Sequence, residues 1–405
     1  MFLIFILDTY QPAEDSYLLQ KYVQKHAFGR VLDLGTGSGI QALTAVKRKD
    51  VREIVAVDIN EKAIKELKTE ISQKKIRKIT IKKSDLFSNV QDKFDTIIFN
   101  PPYLPQDKGI EDPALYGGKH GWEISEKFFS EVNQFLVANG KILFLFSSLT
   151  NKQKIEEIIS QNLLEFKELE KQKLPMFETL YVYLIEKSQV LRELERKHID
   201  HIQYLTHGKR GNIFTGISDK SKRVKTHFAK KEFVKVGIKV KRKESSAIER
   251  MRNESNWLKI LNKKNIGPRF LFSGEDYLVY EFVEGEFILD WIKGNNKKDI
   301  QKVLIAVLKQ CFELDQLGVN KEEMHHPLKH IIITKNNHPV LLDFERCSRA
   351  EKVKNVTQFV EFISRMRDEL KDFKIDVEQL RTLAKTYKND INTKSLEIII
   401  KYLSS

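Results

Sequence analysis

The chain has little cysteine. Its 405 residues hold two, Cys311 and Cys347, with no metal-ligand spacing and no disulfide framework. That argues against a small disulfide scaffold and leads us to expect reduced thiols inside a cell. No apolar run approaches the roughly 18 residues of a membrane span. The apolar opening Phe2 to Leu7 has no basic flank, is too short for a signal sequence and runs into Asp8, so it reads as a lead-in to the first element. These features give the expectation of a cytoplasmic protein. Acid is short relative to base: the net charge is +14, and the second half of the chain owns nearly all the excess. Between Lys220 and Lys243 stand eleven Lys or Arg and one acid, Glu232, a run that suits either RNA phosphates or a solvated face. The length suggests two or three domains.

What is present centres on Phe94-Asp95-Thr96-Ile97-Ile98-Phe99-Asn100-Pro101-Pro102-Tyr103. The apolar residues predict a strand covered on both faces, as in the middle of a parallel sheet. Two prolines then stop it at its carboxyl end, where open α/β sheets place their ligands. A planar amide or exocyclic amine has two N–H donors and a delocalised lone pair, so a transferase must hold it by its hydrogens. The Asn100 side-chain oxygen and the Pro101 carbonyl can accept both, and the Tyr103 ring can cover the flat group.

Upstream, Tyr10-Gln11-Pro12-Ala13-Glu14-Asp15-Ser16 precedes a helical pattern beginning at Tyr17 and reads as a loop and helix start near a cofactor. Capping alone would explain Glu14, Asp15 and Ser16. Arg30 to Ile40 is a strand ending in the glycines 35, 37 and 39, which let backbone approach a ligand closely. Their G-x-G-x-G spacing differs from the dinucleotide fingerprint G-x-G-x-x-G. The next strand ends in Asp58, nineteen residues after Gly39, where a carboxylate can accept from both ribose hydroxyls. Asp85, after the candidate strand Ile79-Thr80-Ile81, can meet an adenine amine.

Taken together, D-L-G-T-G-S-G, A-V-D, S-D-L-F and N-P-P-Y resemble the class I S-adenosylmethionine methyltransferases of the HemK type. Tyr10 to Leu19 is similar to the branch that methylates the glutamine of the Gly-Gly-Gln loop in archaeal and eukaryotic class I release factors. The resemblance covers residues 8 to 187. It implies that Asp33, Gly35 and Gly37 contact the amino-acid end of S-adenosylmethionine, Asp58 its ribose and Asp85 its adenine, and that Asn100, Pro101 and Tyr103 hold the substrate amide. His120 departs from the pattern, since the family usually has an acid there.

Residues 188 to 207 have a helical pattern, so the boundary is expected to be a helix. Beyond it, Gly208 to Gly216, with Gly208 and Gly211 in a glycine hairpin, precedes the strand lysine Lys239. Backbone amides and one ammonium can lie there against phosphates. Glu254, on a helical pattern, can pair with Lys239, and Asp343 ends a strand with a carboxylate suited to magnesium. Residues 200 to 350 resemble the RIO-like atypical serine/threonine protein kinases, which implies ATP and Mg2+ as ligands. The catalytic segment departs from that pattern. Glu323 matches the base position, Lys321 replaces the usual His, no Asn follows at the usual spacing, and Asp-Phe-Glu replaces Asp-Phe-Gly. ATP binding is therefore favoured over efficient phosphotransfer. His325, His326 and His330 read as packed or surface histidines rather than a metal site.

The expected architecture is α/β, a Rossmann-like class I methyltransferase sheet over 1–190, followed by an α+β bilobal protein-kinase-like domain over 191–405. The expected function is methylation of the glutamine amide nitrogen of a class I release factor. The alternative is methylation of exocyclic adenine amines of RNA or DNA, with the basic half as a nucleic-acid or ribosome-binding module. The resemblance also implies a small zinc-ribbon activator as partner.

Overall fold

Buried strands and the helices that cover them alternate through the first half of the chain. The computed structural model describes residues 10–106, 115–175, 177–207, 211–219, 232–241 and 248–404, and they divide into two compact units, Met1–Lys197 and His198–Ser405. The first contains α1 (Glu14–His26), β1 (Gly29–Leu34), α2 (Ile40–Ala45), β2 (Val51–Asp58), α3 (Glu61–Gln73), β3 (Ile79–Lys83) and β4 (Phe94–Phe99). After these come α4 (Glu123–Val132), β5 (Leu136–Ser147), α5 (Lys152–Gln161), β6 (Leu164–Lys173), β7 (Thr179–Lys187) and α6 (Gln189–Arg196).

The seven strands form one sheet in the order β3-β2-β1-β4-β5-β7-β6. Strands β1 to β5 run parallel, and β7 is antiparallel to both of its neighbours. Alternation along β4 explains its central place. Ile98 joins the core made with Leu18, Leu19, Leu143 and Leu145. Phe99 turns to the other face, where its ring centroid lies 4.6 Å from that of Phe128 and 6.2 Å from that of Phe144. Burial on both faces is the condition for a parallel sheet interior. Because β7 is reversed and Leu180 pairs with Ser147 at the end of β5, the start of β7 lies at the sheet edge where the parallel strands finish.

Two local expectations are corrected. Helix α1 begins at Glu14, before the Tyr17 pattern, with Ala13 as N-cap and no side-chain cap. Asp15 and Ser16 are buried inside its first turn, so capping does not explain them. The charged helix expected over 188–207 stops at Arg196, and Ile199–His207 is a strand, β8, paired antiparallel with β9. Helical spacing of Val190, Leu191 and Leu194 had extended the pattern too far. Ile199 instead anchors the start of a strand whose other side chains are largely exposed.

In the second unit, β8, β9 (Gly211–Asp219), β10 (Phe233–Lys241), β11 (Phe270–Ser273) and β12 (Tyr277–Glu281) form an antiparallel sheet ordered β11-β12-β10-β9-β8, with α7 (Ile248–Leu261) between β10 and β11 in sequence. The remainder comprises β13 (Glu286–Phe287), α8 (Ile288–Lys293), α9 (Lys297–Gln316), β14 (Val319–Asn320), β15 (Ile331–Ile333), β16 (Pro339–Leu341), β17 (Ser348–Arg349), α10 (Asn355–Arg365), α11 (Val377–Asn389) and α12 (Thr393–Ser404). One apolar core runs from Met251 and Leu258 of α7 through α9 and α10 to α12. The buried Asp315 carboxylate ties its helices together, accepting from Asn355 Nδ2 at 2.7 Å and the Tyr387 hydroxyl at 2.9 Å. No helix among the described residues is long and apolar enough to cross a membrane.

Gly39 shows how closely the first strand-to-helix turn is packed. Its φ is +81°, and a Cβ there would stand 2.3 Å from Leu67 Cδ1 on α3. Gly39→Ala is expected to cost about 1–3 kcal/mol through left-handed strain and crowding, read as a lower midpoint in denaturant. An unchanged midpoint would show that Leu67 yields freely.

Candidate active site

A cavity of about 550 Å³ opens outside the carboxyl ends of β1, β2 and β4, the usual ligand crevice of an open α/β sheet. Strand β1 delivers Asp33, which is buried and accepts from Thr36 Oγ1 at 2.6 Å and from the Ala42 N–H at 3.0 Å, both on Oδ2. Burial pushes its carboxyl up to about 7 against the two hydrogen bonds, and the charge of Asp58 adds to the rise. Asp58, the last residue of β2, accepts the Gly37 N–H at 2.8 Å on one oxygen and the Asn60 N–H at 2.9 Å on the other. Its carboxylate is thereby held at the cavity wall. Asp85 lies two residues beyond β3, exposed, with Lys127 Nζ at 3.2 Å. All three line the cavity, with Gly35 and Gly37 between them.

Across the cavity, β4 delivers Asn100. Its Nδ2 donates to Asp15 Oδ2 at 2.7 Å, while its Oδ1 is buried without a hydrogen-bond partner among the described residues. Asp15, 4% exposed, also accepts from the Tyr10 hydroxyl at 2.8 Å and from its neighbour's backbone N–H. A carboxylate only accepts, so it selects the NH2 end of the Asn100 amide and leaves the oxygen without a partner in a residue that lines the cavity. An orphaned buried acceptor costs about 1–3 kcal/mol, and a ligand N–H recovers it. Sequence reasoning quoted Asp15 but missed this role. The signal lay in a carboxylate and an asparagine that only the fold brings together.

Pro101 and Tyr103 line the same cavity. The Tyr103 phenol is raised well above its ordinary value, first by burial and then by the charges of Asp15 and Glu178, so it is a neutral donor at any ordinary pH. The loop with His120 rests on this turn: a Cβ on Gly121, whose φ is +86°, would lie 2.5 Å from the Tyr103 carbonyl oxygen. His120 itself pairs with Glu123 at 2.8 Å and stacks on Trp122 at 4.5 Å. Neither nitrogen nor ring reaches the Asn100 group by any bond. Together these residues present acceptors for a planar nitrogen beside a cavity whose acids suit a cationic nucleoside.

The second unit gathers a separate set. Lys239 Nζ lies 2.7 Å from Glu254 Oε2, 3.3 Å from Glu345 Oε2 and 3.6 Å from Asp343 Oδ1. Burial alone pulls this ammonium down, but the three carboxylates outweigh it and hold it above its ordinary value. The oxygens of Glu254, Asp343 and Glu345 converge within 4.8 Å, enough for a metal ion. Glu323 is held by Arg346 at 2.6 Å and by His330 at 3.3 Å. Lys321 is buried, 5.3 Å over the Phe344 ring, and burial lowers its ammonium. His325 and His326 are exposed, and Gly211 sits in β9 opposite Lys241. Gly208 and most of the basic run, 220–231 with 242 and 243, lie outside the described residues.

The Methyltransferase small domain family matches residues 13–174. A Methanocaldococcus jannaschii protein assigned as a protein N5-glutamine methyltransferase is 40% identical over 151 residues, 36% of this chain and 76% of that protein. The release factor glutamine methyltransferase of Streptococcus pneumoniae is 33% identical over 122 residues, 28% of this chain and 43% of the relative, so the chain spans less than half of that enzyme's length. Among solved structures, a two-protein complex from E. cuniculi that methylates the eRF1 translation termination factor matches at 26% identity with a TM-score of 0.37, covering 45% of this chain and 100% of that one.

The raised Asp33 carboxyl gives a pH test. Between its unfolded value near 4 and its folded value of about 7, the native state binds the extra proton, so this group's contribution to stability falls as pH rises, by at most about 1.4 kcal/mol per pH unit. Asp33→Asn is expected to remove that slope from the ligand-free protein. Unfolding curves between pH 4 and 8 check this, and parallel profiles for both proteins would refute it.

Proposed function

Through its first half the chain belongs to the HemK-type glutamine methyltransferases that use S-adenosylmethionine, and we propose that its acceptor is the glutamine of the Gly-Gly-Gln loop in a class I peptide chain release factor. The observation that carries this is the Asn100 amide, which lines the cavity and is clamped by Asp15 through its Nδ2, so that its oxygen is left without a partner among the described residues. One hydrogen of the substrate amide goes to that oxygen and the other to the Pro101 carbonyl. Tyr103 covers the amide plane. The nitrogen lone pair then has one direction left open, toward the cavity arm bounded by Asp33, Asp58 and Asp85.

Bound S-adenosylmethionine supplies a methyl group already activated by its sulfonium. Asp33 would face its amino-acid end, Asp58 its ribose hydroxyls and Asp85 its adenine amine, the last after yielding or sharing Lys127. Little acid–base work remains, because a methylated amide nitrogen carrying an extra proton is a strong acid and releases it to solvent. Positioning can supply roughly 7–11 kcal/mol of the barrier reduction. A small zinc-ribbon activator belongs to the proposal as a partner.

For the second unit the proposal is a kinase-like domain that binds ATP with Mg2+. Lys239 from β10, Glu254 from α7 and Asp343 after β16 support it, since an ammonium for phosphates and a carboxylate for the metal stand together. Glu323, the counterpart of a catalytic base, is occupied by Arg346 and His330, which favours binding over phosphotransfer. Serine/threonine kinase activity is therefore the weaker part of this reading. Ribosome or RNA contact through the basic segment completes it.

Two measurements test the proposal. Labelled methyl from S-adenosylmethionine should appear on a purified class I release factor, with the zinc-ribbon partner present, and disappear when the Gly-Gly-Gln glutamine is replaced. Asp15→Asn should lower the rate by about ten- to a hundredfold at unchanged cofactor affinity, because the freed amide can turn its NH2 toward the substrate. Label on RNA or DNA instead would favour the adenine-amine alternative, the activity of a tRNA1(Val) adenine-N6 methyltransferase that is 32% identical over 130 residues. Separately, Asp343→Ala should abolish Mg2+-dependent ATP binding by calorimetry, and unchanged binding would overturn the assignment of that carboxylate.

A further inference from the structure

The first turns of α1 and α2 meet beside the cavity, and one side chain joins them. Gln41, the second residue of α2, is 5% exposed and lines the cavity. Its Nε2 donates to the Ser16 carbonyl oxygen at 2.9 Å, while its Oε1 is buried without a hydrogen-bond partner among the described residues. A buried amide satisfied at one end only carries a cost of about 1–3 kcal/mol that an apolar side chain of similar size would avoid. The same pair of helices has a second amide contact. Gln20 Nε2 donates to Thr44 Oγ1 at 2.8 Å, one turn farther along both helices and outside the cavity lining.

What Gln41 holds is the turn that carries the clamp on Asn100. Ser16 follows Asp15, and its own N–H donates to Asp15 Oδ1 at 2.6 Å. The other oxygen of that carboxylate accepts Asn100 Nδ2 at 2.7 Å. Helix α1 has no side-chain cap of its own to fix this turn, so the Gln41 amide is a donor brought to it from another element. The Tyr10 hydroxyl, 2.8 Å from Asp15 Oδ1, steadies the carboxylate, whereas Gln41 steadies the backbone beneath it. The next residue on α2, Ala42, donates its N–H to Asp33 at 3.0 Å. One helical turn thus reaches both sides of the site, the Asp33 carboxylate and the peptide under the Asp15–Asn100 pair. Methyl transfer tolerates little misplacement, since a shift of about 1 Å can cost about a hundredfold in rate.

We propose that Gln41 is a positioning residue for methyl transfer, acting through Ser16 and Asp15 to keep the Asn100 amide aligned with the methyl group of the cofactor. The inference rests on the reading of this cavity as the methyltransferase site, and it holds for any planar nitrogen that Asn100 receives. Gln41 touches neither reacting atom, and Asn100 remains the group that holds the acceptor.

The test is a double-mutant cycle on the full chain with its zinc-ribbon partner, using Gln41→Met, which keeps the side-chain length and removes the donor, Asp15→Asn, and both together. With a class I release factor as acceptor, Gln41→Met should lower kcat by about tenfold, with KM for the factor and S-adenosylmethionine affinity within about threefold. In the Asp15→Asn background the same substitution should lower kcat by less than about twofold, because the pair it supports is already broken. Gln20→Met removes the other amide of the same helix pair and should leave kcat within about twofold of the parent. A kcat for Gln41→Met equal to the parent's, an undiminished fall in the Asp15→Asn background, or an equal fall from Gln20→Met overturns the positioning role. A parent chain that labels RNA or DNA and no release factor refutes the glutamine reading alone, and the same cycle run on that acceptor then decides this inference.

Discussion

A primary amide can present either end, and the Asn100–Asp15 hydrogen bond removes the choice. The bond joins the last turn of a central strand to the first turn of α1, so it depends on the sheet being complete and on the helix lying over it. Tyr10 adds a second donor to the same carboxylate, which stiffens the acceptor without competing for the cavity. Everything proposed for the first unit follows from one consequence of this arrangement. A side-chain oxygen that hydrogen bonding leaves unsatisfied belongs to a residue lining the cavity where a planar nitrogen would sit.

Much of the first unit was legible in the sequence because its signals are local. Phe94 to Phe99 alternates between two buried faces, and the proline pair marks its end. Gly35, Gly37 and Gly39 all take left-handed backbone after the strand, a conformation that favours glycine, and Asp58 stands at a strand terminus. Other parts were hidden because they depend on long-range contact. Asp15 and Asn100 are 85 residues apart, so a capping reading of Asp15 was locally sufficient and wrong. Ile199 to His207 carries charged and polar residues whose helical and strand periods cannot be told apart without the partner strand.

The second unit shows a different balance. Lys239 is almost surrounded by acid, and Glu345 stands where the kinase resemblance leads one to expect glycine. Three carboxylates against one nearby ammonium leave an excess of negative charge at a half-buried spot, which is costly unless a cation or further donors compensate. Lys321, whose buried ammonium lies over Phe344 with no hydrogen-bond partner among the described residues, shows that charge in this region is arranged by more than pairwise contacts. Arg346 on Glu323 occupies a group that a phosphotransferase would leave free.

The reversed strand β7 also bears on how the site comes into being. Strands β1 to β4, which carry or precede Asp33, Asp58 and Asn100, have all been made by about residue 100, whereas β7 follows about 80 residues later. Since domains fold as units, the one sheet of this unit is expected to close only when β7, its last strand in the chain, has been made. Insertion of β7 between two strands that are neighbours in sequence, β5 and β6, therefore makes the sheet's completion wait on the last strand to be made.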